Sequence, residues 1–202
     1  RSLGVQFLRN HLLRVSLLAL ALVQPGFALA VAPAIPATAL PTLSQEDQHA
    51  TASKRIAKFF THSHYKQITL DDAFATKVFD MYLDTLDYSR NLFLQSEVDG
   101  FNSSRLKMLQ GLENGDLTIA YNLFNLSIQR RYDRFSYALS LLDKPFDFTQ
   151  QDSYQFDRKN APWPKDRQEL DELWRQRVKY DALSLKLAGK SEAEIKSLLT
   201  KR

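Results

Sequence analysis

The chain has 202 residues, of which 44% are hydrophobic and 25% charged, so a wholly disordered chain and a multi-span membrane protein are both excluded. Cysteine is absent, which removes disulfide scaffolds, cysteine nucleophiles and thiolate metal sites; the low glycine and proline counts, 6 and 7, favour helices over a turn-rich β architecture. The net charge of +4 is local, because residues 1–30 hold Arg1, Arg9 and Arg14 with no acid, and the remainder is close to neutral.

Residues 1–30 have the pattern of a secretory signal. A basic start leads to an apolar run from Val15 to Val23, Gln24-Pro25-Gly26 breaks it, and Ala28 and Ala30 present small side chains two apart. As a helix the run spans only about 14 Å, short of a bilayer core, so cleavage after Ala30 is expected rather than an uncleaved anchor. Residues 31–43, with Pro33, Pro36 and Pro41 among small residues, are predicted to form a flexible tether.

A single helical domain is expected over residues 44–202. Ser44 is a candidate cap for a first helix whose face is Ala52, Ile56, Phe59 and Phe60, fraying near His62 and His64. The Thr69-Asp71-Asp72 stretch opens a second helix, with Phe74, Val78, Met81, Tyr82 and Leu86 as its stripe. Residues 87–91 then form a turn, and Leu92, Phe93 and Leu94, too few for a helix, plug a core. A third helix is predicted from Ser96 to Asn114, stopped by Gly115, with Val98, Phe101, Leu109 and Leu112 inward.

The fourth and longest helix is predicted from Asp116 to about Leu142, roughly 40 Å. Its continuous face is Leu117, Tyr121, Phe124, Ile128, Tyr132, Phe135, Leu139 and Leu142, and Pro145 ends it. Residues 146–165 have no helical period but carry Phe146, Phe148, Tyr154, Phe156 and Trp163; so long an aromatic loop either packs down or docks onto another surface. Asp166 caps a fifth helix with Leu170, Leu173, Trp174, Val178 and Leu185 inward, and Gly189 ends it. Ser191 and Glu194 form a capping box for a sixth helix bearing Ile195, Leu198 and Leu199. The fold class is therefore all-α, about six helices in an irregular bundle around one long central helix. The Arg at position 1 and the stop inside the sixth helix suggest a piece of a longer protein.

Little in this pattern carries chemistry. His62 and His64 lie two apart, pointing about 200° from each other on a helix, with no carboxylate at ligand spacing, so no metal site is expected there. No nucleophile elbow and no phosphate-binding glycine motif occurs, so neither a catalytic residue nor a cofactor is assigned. Gln129-Arg130-Arg131 with Arg134, beside Tyr132 and Phe135, could form a basic-aromatic patch, but near-neutral charge and expected export weigh against nucleic acid. The site prediction reduces to Phe146, Phe148 and Trp163 as docking residues.

Several blocks nevertheless resemble one family. These are Ser63–Gln67 (SHYKQ), Asp71–Phe74 (DDAF), Phe79–Leu83 (FDMYL), Leu86–Asn91 (LDYSRN), Gln129–Tyr132 (QRRY), Tyr137–Ser140 (YALS) and Asp157–Pro164 (DRKNAPWP), then Leu173-Trp174 and Leu183–Leu187 (LSLKL). In that order they resemble the N-terminal region of the tail-specific proteases, carboxy-terminal processing peptidases of the Gram-negative periplasm. The resemblance implies a helical domain placed before a PDZ domain and a core with a serine nucleophile and a lysine base. It implies protein substrates with apolar C-terminal tails, packing partners in the PDZ and protease parts, and for some members a lipoprotein adaptor. It also implies a periplasmic location, with association to the inner membrane as a variant. No catalytic position of the family falls within these residues. The alternatives are a free-standing exported protein-binding module and a helical metalloenzyme at His62 and His64.

Overall fold

A computed structural model describes residues 40–63 and 68–201. The expected signal segment with Ala28 and Ala30, the tether through residue 39, and His64 lie outside the described residues. Within them there are seven α-helices and no strand: α1 (Asp47–Lys58), α2 (Asp72–Leu86), α3 (Gln95–Asn102), α4 (Arg105–Asn114), α5 (Thr118–Leu141), α6 (Arg167–Leu187) and α7 (Glu192–Thr200). A π-helical turn, Phe59–Ser63, closes α1. No helix among the described residues is long and apolar enough to cross a membrane.

Local signals set most boundaries. The Asp71 carboxylate accepts the Phe74 N–H at 2.8 Å and starts α2. Asp166 does the same for Glu169 in α6, and Ser191 with Glu194 builds the capping box of α7. Gly115 and Gly189 take φ of +77° and +81°, the left-handed conformation that ends α4 and follows α6. Two starts move. Glu46 rather than Ser44 precedes α1, with its N–H on His49 Nδ1. The start of α3 moves to Leu94, whose N–H is held by Glu97, while the Gln95 N–H reaches the Pro164 carbonyl.

The predicted helix from Ser96 to Asn114 is two helices. It breaks at Ser103 and Ser104, where the Ser103 hydroxyl bonds the Gly100 carbonyl and competes with the helical ladder. The α2 stripe is also rotated by one residue: Ala75, Phe79, Leu83 and Leu86 are buried, whereas Met81 is 61% exposed. Met81 is long and unbranched, and the rigid Phe79 ring takes the central place instead.

The core has two parts. The larger joins Phe79, Leu83 and Leu86 of α2 to Phe93, Val98, Met108 and Leu123. The smaller joins Leu92 to Leu170 and Trp174. The tripeptide between α2 and α3 thus serves both, Phe93 filling one and Leu92 the other. At full burial each such side chain contributes roughly 1.5–3 kcal/mol.

Helix α5 runs 24 residues, about 36 Å. Its fully buried positions are Leu123, Ser127 and Arg134, not the expected apolar stripe. Ser127 turns its hydroxyl back to the Phe124 carbonyl at 2.6 Å, and Arg134 pairs with Asp171 of α6. The outer stripe keeps Ile128 and Tyr132 half-buried and leaves Phe135 and Leu139 at 53% and 40% exposure.

Candidate functional site

The α2–α3 turn holds the densest polar arrangement in the described residues, and two of the family-like blocks meet there. Asp87, at the C-terminus of α2, is 2% exposed. Its Oδ1 accepts the Asn91 N–H at 2.8 Å, and its Oδ2 accepts the N–H groups of Leu92 and Phe93 at 3.1 and 3.2 Å. Buried amides need partners, and this carboxylate supplies them, so the turn that plugs both core clusters folds around one anion.

The same Oδ2 accepts the indole N–H of Trp163 at 3.1 Å, from 76 residues further along. Trp163 is half-buried against the larger cluster. Its ring lies 4.3 Å under the Arg90 guanidinium, and Arg90 Nη1 donates to the Ala161 carbonyl at 2.6 Å. Arg90 takes φ of +47°, a left-handed conformation uncommon for a non-glycine residue. Arg158 completes the junction by donating to the Ser89 and Pro162 carbonyls at 3.3 and 3.2 Å. Pro164 is buried, and Trp174 donates its own indole N–H to the Asn91 carbonyl at 2.7 Å.

Upstream, residues 146–157 form a strap along α6. Lys179 of α6 is only 8% exposed at its side chain and needs a counter-charge; Asp152 supplies it at 2.5 Å and also pairs with Arg175 at 3.3 Å. These bonds, that to Lys179 foremost, hold the Asp152 carboxyl below its ordinary range. Tyr154, Phe156 and Tyr180 pack edge to face or tilted, with centroids 4.5 to 6.1 Å apart. Phe146 and Phe148 are half-buried against each other, with Lys186 Nζ 4.8 Å above Phe148.

The three predicted docking residues therefore fall in two places. Trp163 faces inward as the anchor of the junction, while the half-buried Phe146 and Phe148 line a groove of about 280 Å³ with Lys186 of α6 and Ala193 and Ile195 of α7. Two larger grooves flank this framework. One, of about 500 Å³, lies among α5, α6, the strap and the end of α7, with Phe135, Leu139, Phe156 and Leu199 in its wall. The other, of about 480 Å³, is almost wholly apolar and lies among α1, α2, α4 and the start of α5.

The remaining sequence candidates are placed as follows. His62 is exposed with Nδ1 2.6 Å from the Thr61 hydroxyl. No group of three or more His, Asp or Glu that could hold a metal occurs among the described residues. The arginines of the basic-aromatic patch turn to partners in the chain: Arg130 to Glu97 at 2.5 Å, Arg131 to the Leu86 carbonyl at 2.5 Å, Arg134 to Asp171. The Asp87 hub was not visible in the sequence, where residues 87–91 read as a turn and the spacing of Asp80, Asp84 and Asp87 reads as a solvated face; Asp87 is instead buried.

The described residues thus form a helical framework locked by buried polar contacts and bearing apolar grooves. Residues 56–202 match the family described as the tail specific protease N-terminal domain. The chain belongs to that family. It is also 43% identical over 164 residues to a protein of Haemophilus influenzae named "Tail-specific protease". That alignment covers 81% of this chain and 23% of the relative, so the chain spans about a quarter of the length of the curated relative it matches.

Proposed function

We propose that this chain is the helical scaffold of a periplasmic serine endopeptidase that degrades or trims proteins ending in apolar C-terminal tails. The match of residues 56–202 to the N-terminal domain of tail-specific proteases carries this reading. In it, a PDZ domain holds the substrate tail by strand addition, and a serine activated by a neutral lysine cleaves the chain. Both belong to polypeptide outside this sequence. The helices pack against those parts and help enclose the substrate, and the Phe146–Phe148 edge of the strap offers a docking surface to them or to a lipoprotein adaptor.

The test is a pair of preparations, the 202-residue chain and the protein encoded by the longer reading frame. Each is given an unfolded substrate ending in apolar residues and the same substrate ending in two aspartates. The longer protein is expected to cleave the first and spare the second, and the 202-residue chain to cleave neither. Hydrolysis by the 202-residue chain, or equal cleavage of both tails by the longer protein, would contradict the reading.

A further inference from the structure

The strap of residues 146–157 is held on α6 by side chains. Among the described residues no backbone hydrogen bond joins it to the helices, and none of its own residues is buried. A segment with so little buried contact opens at low free energy while the rest of the fold stays closed. Its charge is one-sided: Asp147, Asp152 and Asp157 stand among Phe146, Phe148, Tyr154 and Phe156, with no Lys or Arg. The α6 side is complementary. Arg175 and Lys179 share Asp152 Oδ2, Lys186 sits over Phe148, and Tyr180 takes Tyr154 and Phe156 against its ring, with centroids 6.1 and 4.5 Å away. Glu172, beside Arg175, is already paired with it at 2.6 Å. The seat is not filled: a gap of about 80 Å³ remains between strap and helix, with Phe148, Tyr154, Lys179 and Leu183 in its wall.

We infer that this face of α6 is a docking surface for an extended acidic and aromatic segment of a partner protein, and that residues 146–157 hold it in cis as a displaceable placeholder. The occupant is defined by what the strap now supplies: a carboxylate for Lys179 and Arg175, a ring for Tyr180 and a ring beneath Lys186. Exchange keeps Lys179 paired, because one carboxylate replaces another and no buried ammonium is stranded. The partner has more to bury than the strap does. Tyr154 and Phe156 wall the groove of about 500 Å³ at one end of the strap, and Phe146 and Phe148 wall that of about 280 Å³ at the other. Lifting the strap joins the two across the gap into one channel along α6, and apolar side chains set into it gain burial that the strap lacks. The tethered strap competes at high local concentration, so a segment without the acid or without the rings does not displace it. This surface lies beneath the strap edge assigned to docking above; it is tested by binding and not by cleavage, so it stands or falls apart from the proteolytic reading.

The test uses the intact chain and a fluorescent peptide with the sequence of residues 146–157. Asp152→Ala in the protein releases the strap without altering α6. A strap closed about nine-tenths of the time weakens a competitor about tenfold, so the peptide is expected to bind the Asp152→Ala protein about tenfold tighter than the unaltered one, read by anisotropy. The same peptide carrying Asp152→Asn is expected to bind the Asp152→Ala protein several-fold more weakly, and adding Lys179→Met to that protein is expected to erase the preference for Asp over Asn. Because the chain has no cysteine, Leu183→Cys at the gap gives a second readout in the otherwise unaltered protein. Its alkylation is expected to quicken when Asp152→Ala is added and to slow again with excess peptide. Equal affinity for the two proteins, no binding to the Asp152→Ala protein at millimolar peptide, or indifference to the Asp-to-Asn change overturns the inference. So does alkylation of Leu183→Cys that the peptide leaves unchanged, which would place the peptide elsewhere.

Discussion

Residues 146–164 form one connection with two differently built halves. The downstream half, 158–164, enters the fold: Trp163 reaches a carboxylate 2% exposed, and Pro164 closes the start of α3. The upstream half, 146–157, stays outside, tied to α6 by ring contacts and by the Asp152 pairs with Lys179 and Arg175. The upstream half carries four aromatic residues and three Asp, and the downstream half one Trp with two basic residues and two Pro, but composition alone does not say which half is buried. What separates them is how many buried groups depend on one carboxylate: Asp87 holds three backbone N–H groups and the Trp163 indole, whereas Asp152 meets the buried Lys179 and a part-exposed Arg175. Breaking the first strands several buried donors, whereas breaking the second strands the Lys179 ammonium alone.

That contrast orders the expected effects. Asp87→Ala is the most damaging change, since it strands three backbone amides and the Trp163 indole; a loss of about 3–4 kcal/mol is expected in urea unfolding. Trp163→Phe keeps the apolar ring and removes one donor, leaving Asp87 its backbone bonds, so about 1–2 kcal/mol is expected by the same measurement. In the outer half, Phe148→Ala should cost under about 1 kcal/mol, because the ring is only half-buried.

Acidification probes the outer half without mutation. The folded Asp152 carboxyl titrates below its ordinary value of 3.8, so its contribution is complete above that value and is lost as pH falls through the lowered one. Lowering the pH from about 5 through the lowered Asp152 value should therefore loosen residues 146–157, seen as faster amide exchange there. Raising salt should weaken the Asp152–Arg175 pair in the same direction and leave the Asp87 junction unchanged.

The sequence disclosed what is local. The caps at Asp71, Asp166 and Ser191 and the stops at Gly115 and Gly189 need only neighbours within a few residues, and the helix class follows from periodicity. What was misread depends on distant partners. The face of α5 could not be chosen from period alone, because apolar residues lie on both sides and the buried side is fixed by Arg134 meeting Asp171 of α6. The Ser103–Ser104 break did carry a signal, two adjacent hydroxyls without an apolar neighbour. The Asp87 hub carried none, since its fourth donor lies 76 residues away. For Trp163 the sequence raised both packing down and docking; the geometry shows the indole turned inward.

The junction is claimed to be one cooperative lock joining two distant stretches of chain. A double-mutant cycle on Asp87→Ala and Trp163→Phe tests this most directly, by urea unfolding of all four variants. A coupling of about 1–2 kcal/mol is predicted, because the indole N–H has no carboxylate left to lose once Asp87 is gone. Additivity within about 0.3–0.5 kcal/mol would show the two residues acting independently and contradict the lock.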